Sequence, residues 1–204
     1  MKKIFCLILT AVLCVSFCMT AFAADQYSAY THKTQGYSLE YPSDWLVLDT
    51  ETVSAVLKDA GNQAAYANID IEAYAQSITS SDMVMFMKAD GDNMSVVSQY
   101  IGQAFSADVL VKELAGALVN QYKQLMPGAE FIVEGDVFEI EGREFAYIMY
   151  SWNNGYTDVL GIQAMNCDSG SLFYFTLTCD DTENTVEFIR NFRLFEHMME
   201  TFEF

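Results

Sequence analysis

Gly36-Tyr37-Ser38-Leu39-Glu40-Tyr41-Pro42-Ser43-Asp44-Trp45 decides how this chain is read. Tyr37, Leu39 and Tyr41 alternate with polar residues, as in a strand with one face buried. Pro42 lacks a backbone donor, and with Ser43 and Asp44 it makes a corner. A second short apolar segment, Trp45 to Leu48, follows. The pair reads as a hairpin that opens an antiparallel sheet.

Upstream, Lys2 and Lys3 precede an almost unbroken apolar run from Ile4 to Phe17, and Ala21-Phe22-Ala23 offers a small-x-small cleavage pattern. Residues 1–23 therefore read as a cleaved secretory signal peptide rather than a retained span or a lipid-anchored cysteine. Residues 24–35 are polar and without periodicity, and read as a flexible lead-in. The mature chain, Ala24 to Phe204, has 181 residues, enough for one domain with a sizeable core. Loss of Lys2 and Lys3 leaves 8 basic residues against 28 acidic ones, a net of −20. That charge disfavours nucleic acid and anionic membrane as partners. It suits solubility outside the cell, and a polycation or a divalent ion is the compatible ligand class.

Three of the five cysteines leave with the signal, and Cys167 and Cys179 remain. Cys167 falls at an expected turn, and Cys179 lies about 26 Å further along an extended chain. A disulfide needs Cα atoms within about 7 Å, so two separate thiols are expected.

Downstream of the opening segments, 49–81 reads as an insertion with short helices over Glu51 to Ala60 and Ala65 to Ile78. Asp82 to Lys88 and Met94 to Ile101 read as strands joined by Asp90-Gly91-Asp92-Asn93. Ser106 can cap a helix to Leu125, with Val111, Leu114, Leu118, Tyr122 and Leu125 as its apolar stripe and Met126-Pro127-Gly128 as its stop. Phe131 to Ile140, Arg143 to Trp152, Tyr156 to Met165 and Leu172 to Cys179 then form a four-stranded meander with short glycine-containing turns. Leu172 to Cys179 is apolar on both faces, so it belongs at the centre of the sheet. A C-terminal helix opens at Asp180-Asp181-Thr182-Glu183 and carries Phe188, Phe192, Phe195, Met199 and Phe202; a strand near Phe192 to Phe195 is the alternative.

The Tyr-x-Leu-x-Tyr-Pro-x-x-Trp opening, Tyr37 to Trp45, resembles the first hairpin of the PsbP/Mog1-like superfamily, and the element order over about 36–195 is similar. The resemblance implies an α+β fold: an α/β/α sandwich with a single antiparallel sheet of about six to seven strands flanked by helices, as one domain over 36–204. It implies binding and assembly rather than catalysis, since plant members support the oxygen-evolving complex and a yeast member binds a small GTPase. No binding motif of either kind matches this chain residue by residue, and fold alone does not carry function.

Asp168-Ser169-Gly170 matches the aspartic-protease triplet once, without the second copy that proton sharing needs, and suits a tight turn better. A serine hydrolase would need a supporting His, and the two histidines, His32 and His197, lie near opposite ends. Asp90, Asp92 and Asn93 are candidate calcium ligands, although an EF-hand loop starting at Asp90 would place Ile101 where its Glu belongs. Glu183 and Glu187 share a helix face and read as a dipole-favoured first turn rather than as metal ligands. Zinc, P-loop and dinucleotide patterns are absent. Trp152 and Tyr156 flank a hairpin tip that could meet a partner. The expectation is an exported, non-enzymatic binding or accessory module at the cell envelope, with no cofactor and with an unknown protein or envelope component as partner. A calcium-responsive binding protein is the second reading, and a hydrolase using the Asp168 turn the third.

Overall fold

The computed structural model describes residues 26–53, 55, 71–153, 155, 157–180 and 185–204. The strands are β1 (Tyr27–Thr31), β2 (Ser38–Pro42), β3 (Leu46–Leu48), β4 (Val84–Met87), β5 (Asn93–Tyr100), β6 (Glu130–Ile140), β7 (Arg143–Asn153), β8 (Asp158–Asp168) and β9 (Ser171–Asp180). Helix α1 is Ile71–Ser81 and α3 is Thr185–Glu200. Between them α2 runs from Ala107–Leu110 through a π-helical turn, Val111–Ala115, into Gly116–Leu125.

Seven strands form one sheet in the order β3-β4-β5-β9-β8-β7-β6, and every pairing in it is antiparallel. β9 is the middle strand, as its two apolar faces require. Phe173, Phe175, Leu177 and Cys179 pack with Leu194, Phe195, Met198 and Met199 of α3, with Leu39 of β2 and with Tyr37 just before it. On the opposite face Leu172 joins Ala146, Ile148 and Met165 under Ala107, Leu110, Ala115 and Val119 of α2. Ile78 of α1 covers Leu48, Met85 and Met87 beside them. Each fully buried large apolar side chain contributes about 1.5–3 kcal/mol, so both helical layers are needed to exclude water from the sheet.

Two expectations are corrected, the reading of one helix is refined, and one open alternative is decided. Residues 24–35 include β1, which pairs with β2 in a separate two-stranded sheet, so Tyr27–Thr31 are ordered ribbon rather than flexible lead-in. β2 and β3 do not form a hairpin: the corner at Pro42 to Trp45, closed by Trp45 N–H donating to Pro42 O at 3.0 Å, passes the chain from the ribbon into the main sheet. In α2 the expected stripe Val111, Leu114, Leu118 and Tyr122 packs on the core, and the π-turn widens the buried face beside it. Ala107, Leu110, Ala115 and Val119 therefore lie deepest, and Leu125 at the end of the expected stripe is 65% exposed. Lastly, α3 is helical through Phe192–Phe195, and only Glu203 beyond it pairs with a strand residue, Ser38.

The expectations for residues 1–23, for most of Glu51 to Ala60 and for the first part of Ala65 to Ile78 fall outside the described residues; α1 covers the end of the last. Among the described residues no helix is long and apolar enough to cross a membrane.

The meander turns at Glu141-Gly142 and Asp168-Ser169-Gly170 are as read, and Asn154 and Tyr156 of the third lie outside the described residues. Ser169 and Gly170 have φ of 49° and 82° and are closed by the Asp168–Ser171 pair, a type I′ geometry that Gly adopts without strain. Cys167 and Cys179 are both free thiols in neighbouring strands at different registers.

Two predictions follow from packing. A Cβ on Gly161 would lie 2.2 Å from Tyr150 Cζ, and that ring is held between Tyr122 and Phe131. Gly161→Ala should therefore lower unfolding stability in urea by about 1–3 kcal/mol. Glu196 on α3 is raised from 4.5 to about 6, by burial first and by Glu200 second. Because its folded value lies above its unfolded one, the penalty is absent at acid pH and appears as pH rises from 4.5 through 6. Allowing for partial exposure, Glu196→Gln should add about 1 kcal/mol at neutral pH and nothing at pH ~4, measured by denaturant melts at both.

Candidate functional site

The β4–β5 turn builds the most highly charged cluster of side chains among the described residues. Lys88 leaves β4, and its backbone N–H donates to Asp92 O at 2.9 Å while its carbonyl accepts from Gly91 N–H at 3.1 Å. Gly91 has φ 109°, a conformation that L side chains rarely adopt, and a Cβ there would sit 3.3 Å from Asp180 Oδ2. The turn thus presents Asp90 and Asp92 on one side, against the start of α3. Asn93 donates its Nδ2 to Gly91 O at 3.1 Å, so this candidate ligand braces the turn.

Lys88 Nζ lies 2.7 Å from Asp90 Oδ2 and 4.0 Å from Asp92 Oδ2, and donates a short hydrogen bond to Glu187 Oε1 in the first turn of α3. One carboxylate oxygen each from Asp90, Asp92 and Glu187 lies within 4.8 Å of the others. Asp92 is 4% exposed; its Oδ1 accepts from Asp180 N–H at 2.8 Å and its Oδ2 from Asn191 Nδ2. Burial lifts the Asp92 carboxyl above its ordinary value, the Asp180 amide pulls it back, and Asp90 pushes it up again. Burial works against the Lys88 charge, but hydrogen bonds to Asp90 and Glu187 outweigh it and hold the ammonium above its usual range. Behind the cluster, burial and the Asp92 charge push the Cys179 thiol up to about 12, which leaves it protonated and unreactive at neutral pH.

The knot joins residues far apart in sequence: Lys88 and Glu187 are 99 positions apart, as are Asp92 and Asn191. The candidate pair Asp90 and Asp92 therefore converges with Glu187; Glu183 and Tyr156 lie outside the described residues. Trp152 is half-buried on β7 opposite Val159. Lys88, Asn191 and the long-range role of Glu187 were missed. Only Lys88, two residues before Asp90, carried a local signal, as a cation next to an acidic turn.

Elsewhere the sequence candidates separate. Asp168 is exposed at its turn and accepts from Ser169 Oγ at 3.0 Å. It lines an open depression of about 400 Å³ with Glu139, Arg143, Glu144 and Cys167, and no histidine is part of that wall. His197 reaches Glu40 at 3.0 Å and stacks on Tyr27. His32, expected in a flexible segment, is 4% exposed; its Nδ1 accepts from Gln35 N–H at 3.2 Å and its Nε2 lies 3.6 Å from Asp82.

No family model and no curated protein matches the chain. Among solved structures it is similar to the cyanobacterial PsbP (CyanoP) of Synechocystis sp. PCC 6803, with 19% identity and a TM-score of 0.51 over 91% of this chain and 96% of that one. The fold is PsbP/Mog1-like. A protein from Bacteroides thetaiotaomicron is similar at 13% identity and a TM-score of 0.50; the match covers 87% of this chain and 48% of that one. These likenesses establish the PsbP-like architecture alone, because identities this low carry no site residue across.

Removing the Lys88 ammonium takes away a counter-charge that three converging carboxylates share. Lys88→Met should therefore cost about 2 kcal/mol at neutral pH. The loss should shrink toward pH ~3 as the carboxylates protonate, measured by urea unfolding at both pH values.

Proposed function

We propose that this protein is an exported accessory or binding module whose acidic flank docks a basic surface of an envelope partner. The observation that carries the reading is the outer edge of the main sheet. β6 is the last strand in the order, and Glu130, Glu134, Asp136 and Glu139 are all exposed along it. Lys123 pairs with Glu134 at 2.9 Å. Glu139 also lines the open depression with Glu144 and Asp168, while Arg143 there donates to the carbonyls of Met199 and Phe202 at the end of α3.

An edge strand of 11 residues exposes unpaired backbone that another strand could join. Here the register shifts twice, between Phe131 and Val133 and between Val133 and Asp136, and these irregularities with the acidic side chains oppose strand addition. Recognition through the side-chain carboxylates is the mode left open, and opposite charge speeds and orients such docking. Binding is favoured over turnover because the Asp168 triplet forms an exposed hairpin turn, and both histidines are committed to contacts distant from it.

The test uses the mature protein as bait against an envelope extract at low salt. Expected is capture of a partner with a basic surface that is released at about 0.5 M NaCl, where screening shortens to a few ångströms. The variant Glu130→Gln, Glu134→Gln, Asp136→Asn, Glu139→Gln should lose that capture. Retention unaffected by salt and by neutralising the row would defeat the proposal, as would hydrolytic turnover that disappears in Asp168→Asn.

A further inference from the structure

The hydrogen bonds at the two ends of the β1–β2 ribbon fix which backbone groups of β1 lie outside it. His32 N–H donates to Tyr37 O and Ser43 N–H to Gln26 O, both at 2.8 Å. In an antiparallel pair the residues that bond across alternate. Ser28 and Tyr30 therefore face β2, as Gln26 and His32 do, and the N–H and C=O of Ala29 and Thr31 point away from it. The far side of β2 is taken: Ser38 exchanges both of its backbone bonds with Glu203, and Glu40 N–H goes to Thr201 Oγ1. The far side of β1 is not. Ala29 and Thr31 are both exposed, and no hydrogen bond from another described residue reaches their outward groups.

The edges of the main sheet are guarded against an added strand, β6 by two register shifts and a row of acids and β3 by its length of three residues. β1 runs five residues in unbroken register and contains no charge, proline or bulge. Its side-chain pattern selects the occupant. Set antiparallel about a two-fold axis at Ala29, two copies of the strand place Ala29 opposite Ala29, Tyr27 opposite Thr31 and Ser28 opposite Tyr30. No charge meets a like charge there, and aromatic–β-branched pairs are favourable across strands. The same register sets Lys33, whose side chain is 73% exposed and touches Glu51, level with Asp25 of the second copy at both ends of the pair. Glu40, one strand behind Ala29, would stand about 14 Å from its counterpart, beyond a Debye length at physiological salt.

We propose that the outer edge of β1 pairs with the same edge of a second copy of this chain, making a four-stranded sheet in the order β2-β1-β1-β2 across a two-fold axis. Backbone groups supply the bonds, and the contacts between Asp25 and Lys33 hold the antiparallel register. Two strands of five residues bury far less than the ~1,200 Å² of a stable interface, so the association is weak, with a dissociation constant on the order of 100 μM. Pairing gives the assembly two copies of the acidic β6 edge, and a partner with two basic surfaces would be held by both at once. The contact does not involve β6, so it can fail while docking at that edge stands, and the reverse.

Sedimentation equilibrium of the mature chain up to about 1 mM, in about 0.15 M NaCl, tests it. A monomer–dimer equilibrium is expected. Ala29→Pro removes only an outward N–H, which an edge strand tolerates, and should weaken the dimer at least ~tenfold while the circular dichroism of the monomer is unchanged. Ala29→Glu, which sets two carboxylates against each other on the axis, should do the same, and it carries the test if the proline variant does not fold. Lys33→Asp should weaken the dimer about threefold or more, and adding Asp25→Lys should restore it. A chain that stays monomeric up to ~1 mM overturns the proposal. So does a dimer that survives a folded substitution at Ala29, or a loss in Lys33→Asp that the charge exchange does not recover.

Discussion

Everything in this fold follows from the need to dry both faces of β9. Phe173, Phe175 and Leu177 on one side and Leu172 and Tyr174 on the other allow neither face of the sheet to meet water at its centre. A lone sheet cannot satisfy that, so a helical layer is required on each side. α3 and the β1–β2 ribbon supply one layer, and α1 with α2 supply the other. The edges of the sheet are then set by what cannot be covered: the three-residue β3 at one end and the irregular, acidic β6 at the other.

The covering layers are also what bring charge together. α3 must lie over β9 to bury Leu194, Phe195 and Met198, and this position carries its first turn against the β4–β5 turn. Asp92 is buried there because Asp180, Asn191 and Lys88 surround it from three elements. The same helix ends under Arg143, whose guanidinium takes the carbonyls of Met199 and Phe202, as a cation suits the negative end of a helix. Aromatic packing therefore fixes α3, and the charged groups at its two ends are positioned as a result.

What could be read locally was read well. The turns at Glu141-Gly142 and Asp168-Ser169-Gly170 depend on residues that tolerate positive φ, and the strands between them on apolar alternation, so each is encoded within a few positions. β1 was missed because Tyr-Ser-Ala-Tyr-Thr becomes a strand only by pairing with β2, and its tyrosines pack on residues such as Phe86 and His197 that lie far along the chain. The pairing of Tyr37–Tyr41 with Trp45–Leu48 was misread because proximity in sequence favours a hairpin, whereas the proline corner hands the chain to a second sheet. The stripe on α2 was read down to Tyr122, but Ala115 and Val119 lie deeper than it because one π-turn changes the phase of the helix, and a regular 3.6-residue spacing carries no trace of it.

The amino-acid order by itself determined the α+β class, the meander with its central strand, the separate thiols and the surplus of acid. All of these rest on periodicity, composition or short-range stereochemistry. Only the tertiary structure decided that Glu187 and Asn191 meet Asp90, Asp92 and Lys88. Side chains 99 positions apart are neighbours only after both faces of the sheet have been covered, and electrostatics at a few ångströms has no one-dimensional signature.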